Sequence, residues 1–272
     1  VQAVIDEQIA QPILIGRRAG MQVKIERLGL RIDLDKDVEV FDPSDNDRHD
    51  EYAAYYNAVA GRNGVSVDAA RKIMRDDQTA IAAVMVARGE ASGLICGKVG
   101  RFDFHLREIM QLLGPEKKDQ LVCSSAVLLL DDGPLFLADT TMNIDPSAEQ
   151  LATITEACMD LVRHFALEPK VALLSHSNFG TSNAPSAKKV RAAAEILRTT
   201  HEDIEIDGEM HGDCALNEAQ RLKVLPNSTL KGSANLLICP NVDAGNIAYN
   251  LLKTAAGGNV AVGPFLLGVD AP

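Results

Sequence analysis

The chain has 272 residues, with 27 Lys and Arg against 38 Asp and Glu, so its formal net charge is −11. A protein that binds nucleic acid through phosphate contacts needs a basic face, so this balance argues against a nucleic-acid partner. Hydrophobic residues make up 46% and charged residues 24%, as in ordinary globular domains, and no apolar stretch approaches the ~20 residues that span a membrane.

Short apolar runs alternate along the chain with longer stretches of helical spacing, and Gly, Pro or Asp separate most of them. The predicted strands are, in chain order, 13–15, 38–41, 93–96, 121–130, 135–138, 171–175, 204–207, 235–239 and 260–262. The predicted helices are 45–60, 67–88, 102–112, 146–165, 185–198, 215–222 and 244–254. The helix over 146–165 has the clearest start signal, because Asp145 can cap it and Pro146 suits its first position.

This alternation predicts an α/β protein with layers of helices on mostly parallel sheet. Ligands bind such sheets beyond the carboxyl ends of the strands. The candidate site segments are therefore 96–101, 139–143, 175–182, 207–209 and 240–246.

The segment 175–182 places hydroxyls, an amide and a glycine between a buried strand and a helix opened by Pro185. Hydroxyl and backbone N–H donors beside a helix N-terminus suit a phosphate group. Ser and Asn also favour turns for their own sake, so a plain turn stays open as the alternative. Neighbouring side chains at a strand end point in opposite directions, so we expect His176 not to activate Ser175 or Ser177 and interpret it as a packing or hydrogen-bonding histidine.

Charged residues follow several predicted strands. Asp207 and Glu209 are expected in a turn, where they orient a ligand, act as general acid or base, or stabilise the turn itself; their spacing is not that of a metal motif, and we predict no metal site. Lys98 and Arg101, expected at the end of the strand 93–96, either meet an anionic ligand or are simply solvated.

The cysteines are odd in number and form no C-x-x-C pair. We predict buried structural thiols in a reducing cytoplasm. The five are Cys96, Cys123, Cys158, Cys214 and Cys239. The chain opens on Val1 without an initiator Met, so we expect neighbouring segments at one or both ends.

Five motifs occur in order: ADTTMNIDP at 138–146, LLSHSNFG at 173–180, IDGE at 206–209, ANLL at 234–237 with DAGNIAY at 243–249, and GP at 263–264. With these motifs the sequence resembles the phosphate acetyl/butyryl transferase (phosphotransacetylase) family over nearly all of its length. The resemblance is closer to one branch, the transferase-like C-terminal domain of large bacterial NADP-dependent malic enzymes. Stand-alone transferases typically read S-F-S-T-K-G-S and G-P-x-L-Q-G-L-x-K-P, and this chain departs from them, like the fused branch, at Phe179, Leu267 and Ala271.

The resemblance implies a two-lobed, three-layer α/β/α fold of the isocitrate and isopropylmalate dehydrogenase type. Lobe one would comprise 1–141 with 263–272, and lobe two, 142–262, would form a homodimer. Coenzyme A and acyl phosphate would bind in the cleft between the lobes. In active members the CoA thiol attacks the acyl carbonyl of acetyl phosphate and phosphate leaves.

The implied acyl-CoA or phosphate ligands are Lys98, Arg101, Asp139, Asn143, Ser175, Ser177, Thr181, Asp207, Glu209, Asn246, Gly263 and Pro264. Ser177 and Asp207 are the candidates for a catalytic role, and Asp139 and Asn143 have a helix-capping alternative. The S-R-G motif that holds phosphate in active members would lie beyond Pro272.

The fused branch usually lacks that Ser–Arg pair and is regarded as an acetyl-CoA sensor that lowers malic enzyme activity. We therefore expect a regulatory module that binds acetyl-CoA, with NADP and a divalent metal bound by a malic enzyme region of the same polypeptide. An active phosphate acetyltransferase is the first alternative. A dimerisation module with a vestigial cleft is the second.

Overall fold

The computed structural model describes residues 1–45, 47–115, 120–258 and 261–270. The chain divides into two compact units, Val1–Glu116 with Val269–Pro272 and Lys117–Gly268. Val260 of a predicted strand, and Ala271 and Pro272 of the predicted lobe-one tail, lie outside the described residues.

The first unit is mainly helical, with a two-stranded parallel sheet. Its core packs Phe41, Tyr52, Met74 and Ile81 together. Its elements are α1 (Gln2–Asp6), β1 (Ile13–Ile15), α2 (Arg18–Leu28), β2 (Glu39–Phe41), α3 (His49–Ala60), α4 (Val67–Asp76), α5 (Gln78–Ala87) and α6 (Phe102–Leu112), with a 3-10 turn at Gly61–Asn63.

Three features of this unit differ from the prediction. The helix 67–88 is two helices, because the Asp77 carboxylate accepts hydrogen bonds from Thr79 N (2.9 Å) and Ala80 N (3.1 Å) and so starts α5 anew. The strand 93–96 is an exposed loop in which the side chain of Ile95 lies in solvent. The helices α1 and α2 were not predicted; α1 has no buried residue and α2 has only Ile25 buried, so neither carries a wide apolar face.

The second unit is built on one mixed sheet. Within the described residues the strand order is β6-β5-β7-β4-β3-β8. The strands β6, β5, β7 and β4 run parallel, and β3 lies antiparallel to β4 and β8. The elements are β3 (Cys123–Leu130), β4 (Gly133–Ala138), α7 (Ala148–His164), β5 (Lys170–Leu174), α8 (Pro185–Thr200), β6 (Glu205–Met210), α9 (Gly212–Leu216), α10 (Glu218–Val224), β7 (Leu236–Ile238), α11 (Val242–Ala255) and β8 (Ala261–Leu267).

Alternate residues of these strands face opposite helical layers. Phe136 and Leu173 belong to the core formed with α7 and α8. Leu137 and Leu237 belong to the core formed with α9 and α11. The predicted α/β class with mostly parallel sheet is thereby confirmed.

Several predicted boundaries of this unit are wrong. Helix α7 starts at Ala148 and not at Pro146, because Ser147 and Gln150 form a reciprocal capping box. The strand predicted over 204–207 continues to Met210, so Asp207 and Glu209 lie within β6 and not in a turn. The helix 215–222 is split into α9 and α10 at Asn217, whose side chain caps α10. Gly263 and Pro264 lie inside β8 rather than after it.

Candidate functional site

The polar segments that follow β4, β5 and β7 lie at one edge of the sheet. These strands are adjacent and parallel, so their carboxyl ends meet there. Hydrogen bonds join the segments: Cys239 N donates to Ala138 O (2.6 Å), and Asn246 Nδ2 donates to Thr140 O (3.1 Å). For the segments 139–143, 175–182 and 240–246 this placement agrees with the prediction that site segments follow strand ends. The segment 207–209 lies within β6, and 96–101 lies in a loop of the first unit.

Asp139 organises the segment after β4. It is buried, and its carboxylate accepts hydrogen bonds from the backbone N–H groups of Thr141, Met142 and Asn143 (each 3.0 Å). The Ser124 hydroxyl and the Asn143 side-chain amide donate to the same carboxylate. Both oxygens of Asp139 are therefore engaged in shaping the loop.

A second buried carboxylate organises the segment after β5. Glu209 accepts hydrogen bonds from Ser177 Oγ (2.7 Å), Gly180 N (3.0 Å), and Arg191 Nη2 and Nε (2.7 and 2.9 Å). Burial by itself raises the pKa of Glu209, but the bonds from Arg191, Ser177 and Gly180 outweigh it and hold that pKa at about 2. Glu209 is thus a fixed anion inside the unit.

Most hydrogen-bond donors of the loop between β5 and α8 already donate to acceptors within the second unit. Its backbone N–H groups bond within the unit, for example Ser182 N to Ser177 Oγ (3.0 Å), Phe179 N to Glu209 O (2.8 Å) and Asn178 N to Thr181 Oγ1 (3.0 Å). The donors expected to hold a phosphate are thus occupied in this conformation. A ligand role for Ser175, Ser177 and Thr181 stays a prediction.

Asp207 lies on β6 two residues before Glu209 and has a separate set of partners. Its carboxylate accepts hydrogen bonds from Ser228 Oγ (2.6 Å), Thr229 N (3.1 Å) and Gly208 N (2.9 Å). Ser228 Oγ also accepts from Nε of the fully buried Arg221 (3.1 Å). These contacts tie the 225–232 segment to β6, which is a structural role; a catalytic role for Asp207 stays a prediction.

The remaining predicted ligands are placed as follows. Asn143 and Ser175 are half-buried, and Thr181, Asn246, Gly263 and Pro264 are exposed. Lys98 and Arg101 belong to the first unit, in the exposed loop before α6, where Arg101 pairs with Asp103 (2.8 Å) and not at a strand end as predicted.

Sequence reasoning missed Arg191, Lys189 and Ser124. Arg191 and Lys189 are two of several basic residues on α8. The spacing of apolar residues along the helix does not show which basic side chain contacts the sheet or its loops. Ser124 lies on β3, far in sequence from its partner Asp139. The prediction of buried thiols is right for four cysteines and wrong for Cys96, which is exposed because its segment is a loop.

Among the described residues no cluster of His, Cys, Asp or Glu is suited to hold a metal ion. None of the helices in that part of the chain combines the length and the apolar character that crossing a membrane requires.

Comparisons with known proteins agree with this architecture. The Phosphate acetyl/butaryl transferase family matches residues 1–272. The NADP-dependent malic enzyme of Escherichia coli (strain K12) is 43% identical over 271 residues, which are 100% of this chain and 36% of that enzyme. The phosphate acetyltransferase of Thermoanaerobacterium thermosaccharolyticum is 32% identical over 277 residues, covering 99% of this chain and 82% of that protein.

A solved phosphotransacetylase from Streptococcus pyogenes has the same fold, with a TM-score of 0.84 at 26% identity over 99% of this chain and 81% of that one. The chain spans about a third of the length of the malic enzyme and most of the length of the acetyltransferase. From the match over its full length, the chain belongs to the phosphate acetyl/butaryl transferase family.

Proposed function

We propose that this chain is a phosphotransacetylase-like ligand-binding module that takes up acetyl-CoA without turning it over. The observation that carries the proposal is the engagement of the family-motif side chains. Asp139, Ser177 and Glu209 are all buried, and each already makes several hydrogen bonds inside the unit. These groups hold the loops at the carboxyl edge of the sheet, so they are not free for proton transfer, and membership of the transferase family supports acetyl-CoA as the ligand.

The chemistry of acyl transfer supports the same conclusion. A general base works best when its pKa is near the operating pH, because it must be deprotonated before the reaction and still take up the proton of the CoA thiol. Glu209, with a pKa of about 2, is far too weak a base for that step. Ser177 donates its only hydroxyl proton to Glu209 or shares it with Thr181.

In this proposal the module regulates a malic enzyme region of the same polypeptide. The support is the 43% identity between this chain and part of a malic enzyme. The matched part makes up 36% of that enzyme's length. NADP and a divalent metal would bind in that other region. Regulation requires two global states, and acetyl-CoA must bind one of them more tightly. A cytoplasmic location, with thiols kept reduced, belongs to the same proposal.

We further propose a homodimer formed through the second unit. Helix α11 packs Ala248, Tyr249 and Leu252 against its own sheet. Ile247 and Leu251, one turn apart on another face, are 59% and 66% exposed. A helix with apolar residues on two faces is typical of one that is covered on both sides.

The finer parts of the predicted architecture belong to the proposal as well. These are the binding cleft between the lobes and the kinship with isocitrate and isopropylmalate dehydrogenases. The predicted lobe boundaries at 141 and 263 stay a prediction, and they differ from the unit boundaries at 116 and 268. The six-stranded mixed sheet covered by helices on both faces supports a three-layer arrangement in the second unit.

Calorimetric titration of the 272-residue chain with acetyl-CoA tests the binding, and an assay of acetyl-CoA formation from acetyl phosphate and CoA tests turnover. We expect heat of binding and no product. Absence of binding refutes the proposal. In a full-length protein carrying both regions, acetyl-CoA should lower malic enzyme activity, and equal activity with and without it refutes the regulatory role.

The second candidate is an active phosphate acetyltransferase. It is favoured by the 32% identity to a stand-alone acetyltransferase over 99% of this chain. Turnover in the assay above, with a sharp fall in rate for Ser177→Ala, would establish it. Retained turnover in that variant would exclude Ser177 from the reaction.

A further inference from the structure

Lys189 joins the loops that follow three adjacent strands. It lies in the second turn of α8, after β5, and its ammonium group donates to the carboxylate of Asp145, after β4, and to the carbonyl of Pro240, after β7 (2.9 Å). The Lys189 side chain is only 18% exposed. A shielded cation thus stands where the carboxyl ends of β4, β5 and β7 meet.

The two members of this ion pair differ in their access to water. The Asp145 side chain is 75% exposed, so it can leave the pair and be solvated at little cost. Ion pairs between two exposed groups contribute about 0–1 kcal/mol, and here the carboxylate, though not the ammonium group, is exposed. Lys189 would keep the Pro240 carbonyl, and an ammonium group has three protons to donate. The position taken by Asp145 is therefore open to exchange with an external anion.

The neighbouring basic residues differ from Lys189 in this respect. Arg191 is bound through both Nε and Nη2 by the buried Glu209, so releasing it would leave a buried anion without its partner. Lys188 is exposed, and a cation in open solvent binds an anion weakly. Lys189 is shielded from solvent, and its partner Asp145 is exposed and can be replaced by another anion.

We propose that Lys189 is an anion-binding residue, and that a phosphoryl oxygen of the ligand displaces the Asp145 carboxylate from its ammonium group. The inference rests on the proposed function, which supplies a phosphoryl ligand. A charge-assisted hydrogen bond of this kind contributes enough to change affinity about ten-fold or more. Asp145 is then an internal competitor of the ligand.

Two variants that break the same ion pair separate this role from a structural one. Lys189→Met removes the cation, and Asp145→Asn removes the competing anion while leaving the cation in place. Lys188→Met is the matched control, since it deletes one positive charge from the adjacent residue. Each chain is titrated calorimetrically with acetyl-CoA and with inorganic phosphate at constant ionic strength, and its melting temperature is measured without ligand.

We expect Lys189→Met to weaken binding about ten-fold and Asp145→Asn to strengthen it a few-fold, with similar melting temperatures for the two. Lys188→Met should bind within two-fold of the unaltered chain. A matching effect on both probes identifies a phosphate site, and an effect on acetyl-CoA alone identifies a phosphoryl group of the larger ligand.

Equal weakening by Lys189→Met and Asp145→Asn would overturn the inference, because the pair would then only support the loops. The inference would also be overturned if Lys189→Met bound the probes as tightly as the unaltered chain, or if Lys188→Met weakened binding as much as Lys189→Met does. If the unaltered chain binds neither probe, the proposed function itself fails. If the unaltered chain binds acetyl-CoA and Lys189→Met binds it equally well, only the inference fails, so the two failures are distinguishable.

Discussion

Gly245 in α11 lies directly against the main-chain carbonyl of Asp139. A Cβ atom on Gly245 would come within 2.1 Å of Asp139 O, far closer than any real contact. This close approach lets the first turns of α11 reach the loop that Asp139 organises, where Asn246 donates to Thr140 O. The glycine therefore determines how near the helix comes to the candidate site.

The variant Gly245→Ala should lower the free energy of unfolding by about 1–3 kcal/mol or more, because backbone must move to make room. Alanine in place of glycine within a helix normally stabilises by roughly 1 kcal/mol, so the expected sign is the reverse of the usual one. Urea unfolding followed by circular dichroism measures the change.

Gly20 provides the matched control. It lies in α2, and a Cβ there meets nothing within 4 Å. Gly20→Ala should be neutral or stabilising by up to ~1 kcal/mol. A stable Gly245→Ala protein that behaves like Gly20→Ala would contradict the close approach.

The sequence predicts some elements to the residue and misses others for clear reasons. Helix α6 has the predicted bounds because its apolar residues recur at helical spacing. Helix α2 carries charge around most of its circumference, so its narrow apolar stripe of Met21, Ile25 and Leu28 is a weak signal. The breaks at Asp77 and Asn217 depend on side-chain caps that interrupt a continuous helical pattern.

The candidate site shows the same limit. Ser177 and Glu209 were identifiable because they stand in motifs at predicted strand ends. Their partner Arg191 was not, because its role depends on how closely α8 packs against β6. Contacts between side chains on different elements are set by packing, which a single sequence does not record.

Because the pKa of Glu209 is lowered in the folded protein, the free energy of unfolding should decrease at acid pH. The folded pKa is about 2, below the ordinary glutamate value of 4.5, so the carboxylate contributes stability that is complete above about pH 5 and is lost as the pH falls toward 2. The shift corresponds to about 3 kcal/mol. Glu209→Gln should flatten the decline in unfolding free energy between pH 5 and pH 3, measured by urea titration at each pH.

Glu90 gives an independent check in the first unit. Burial raises its pKa, but the bonds from Arg48, Tyr52 and Arg88 prevail and lower it to about 2. Glu90→Gln should flatten the same acid decline for that unit. Acid curves parallel to that of the unaltered chain in both variants would show that these carboxylates do not control acid stability.

Arg191 should matter more than its surface location suggests. Arg191→Met leaves the fully buried Glu209 without its cation, which costs about 3–5 kcal/mol. Arg101→Met, which removes an exposed arginine paired with Asp103, should cost under ~1 kcal/mol. Denaturant midpoints of the two variants compare the effects, and equal midpoints would indicate that water reaches Glu209 readily.

The exposed face of α11 tests the proposed homodimer. Ile247→Glu places a charge on a helix face that should be buried against a second copy, so sedimentation equilibrium should give the mass of a monomer for this variant and of a dimer for the unaltered chain. Val23→Glu, at a 63% exposed position of α2, is the control and should stay dimeric. A monomeric unaltered chain would refute the dimer, and a dimeric Ile247→Glu chain would show that another surface forms it.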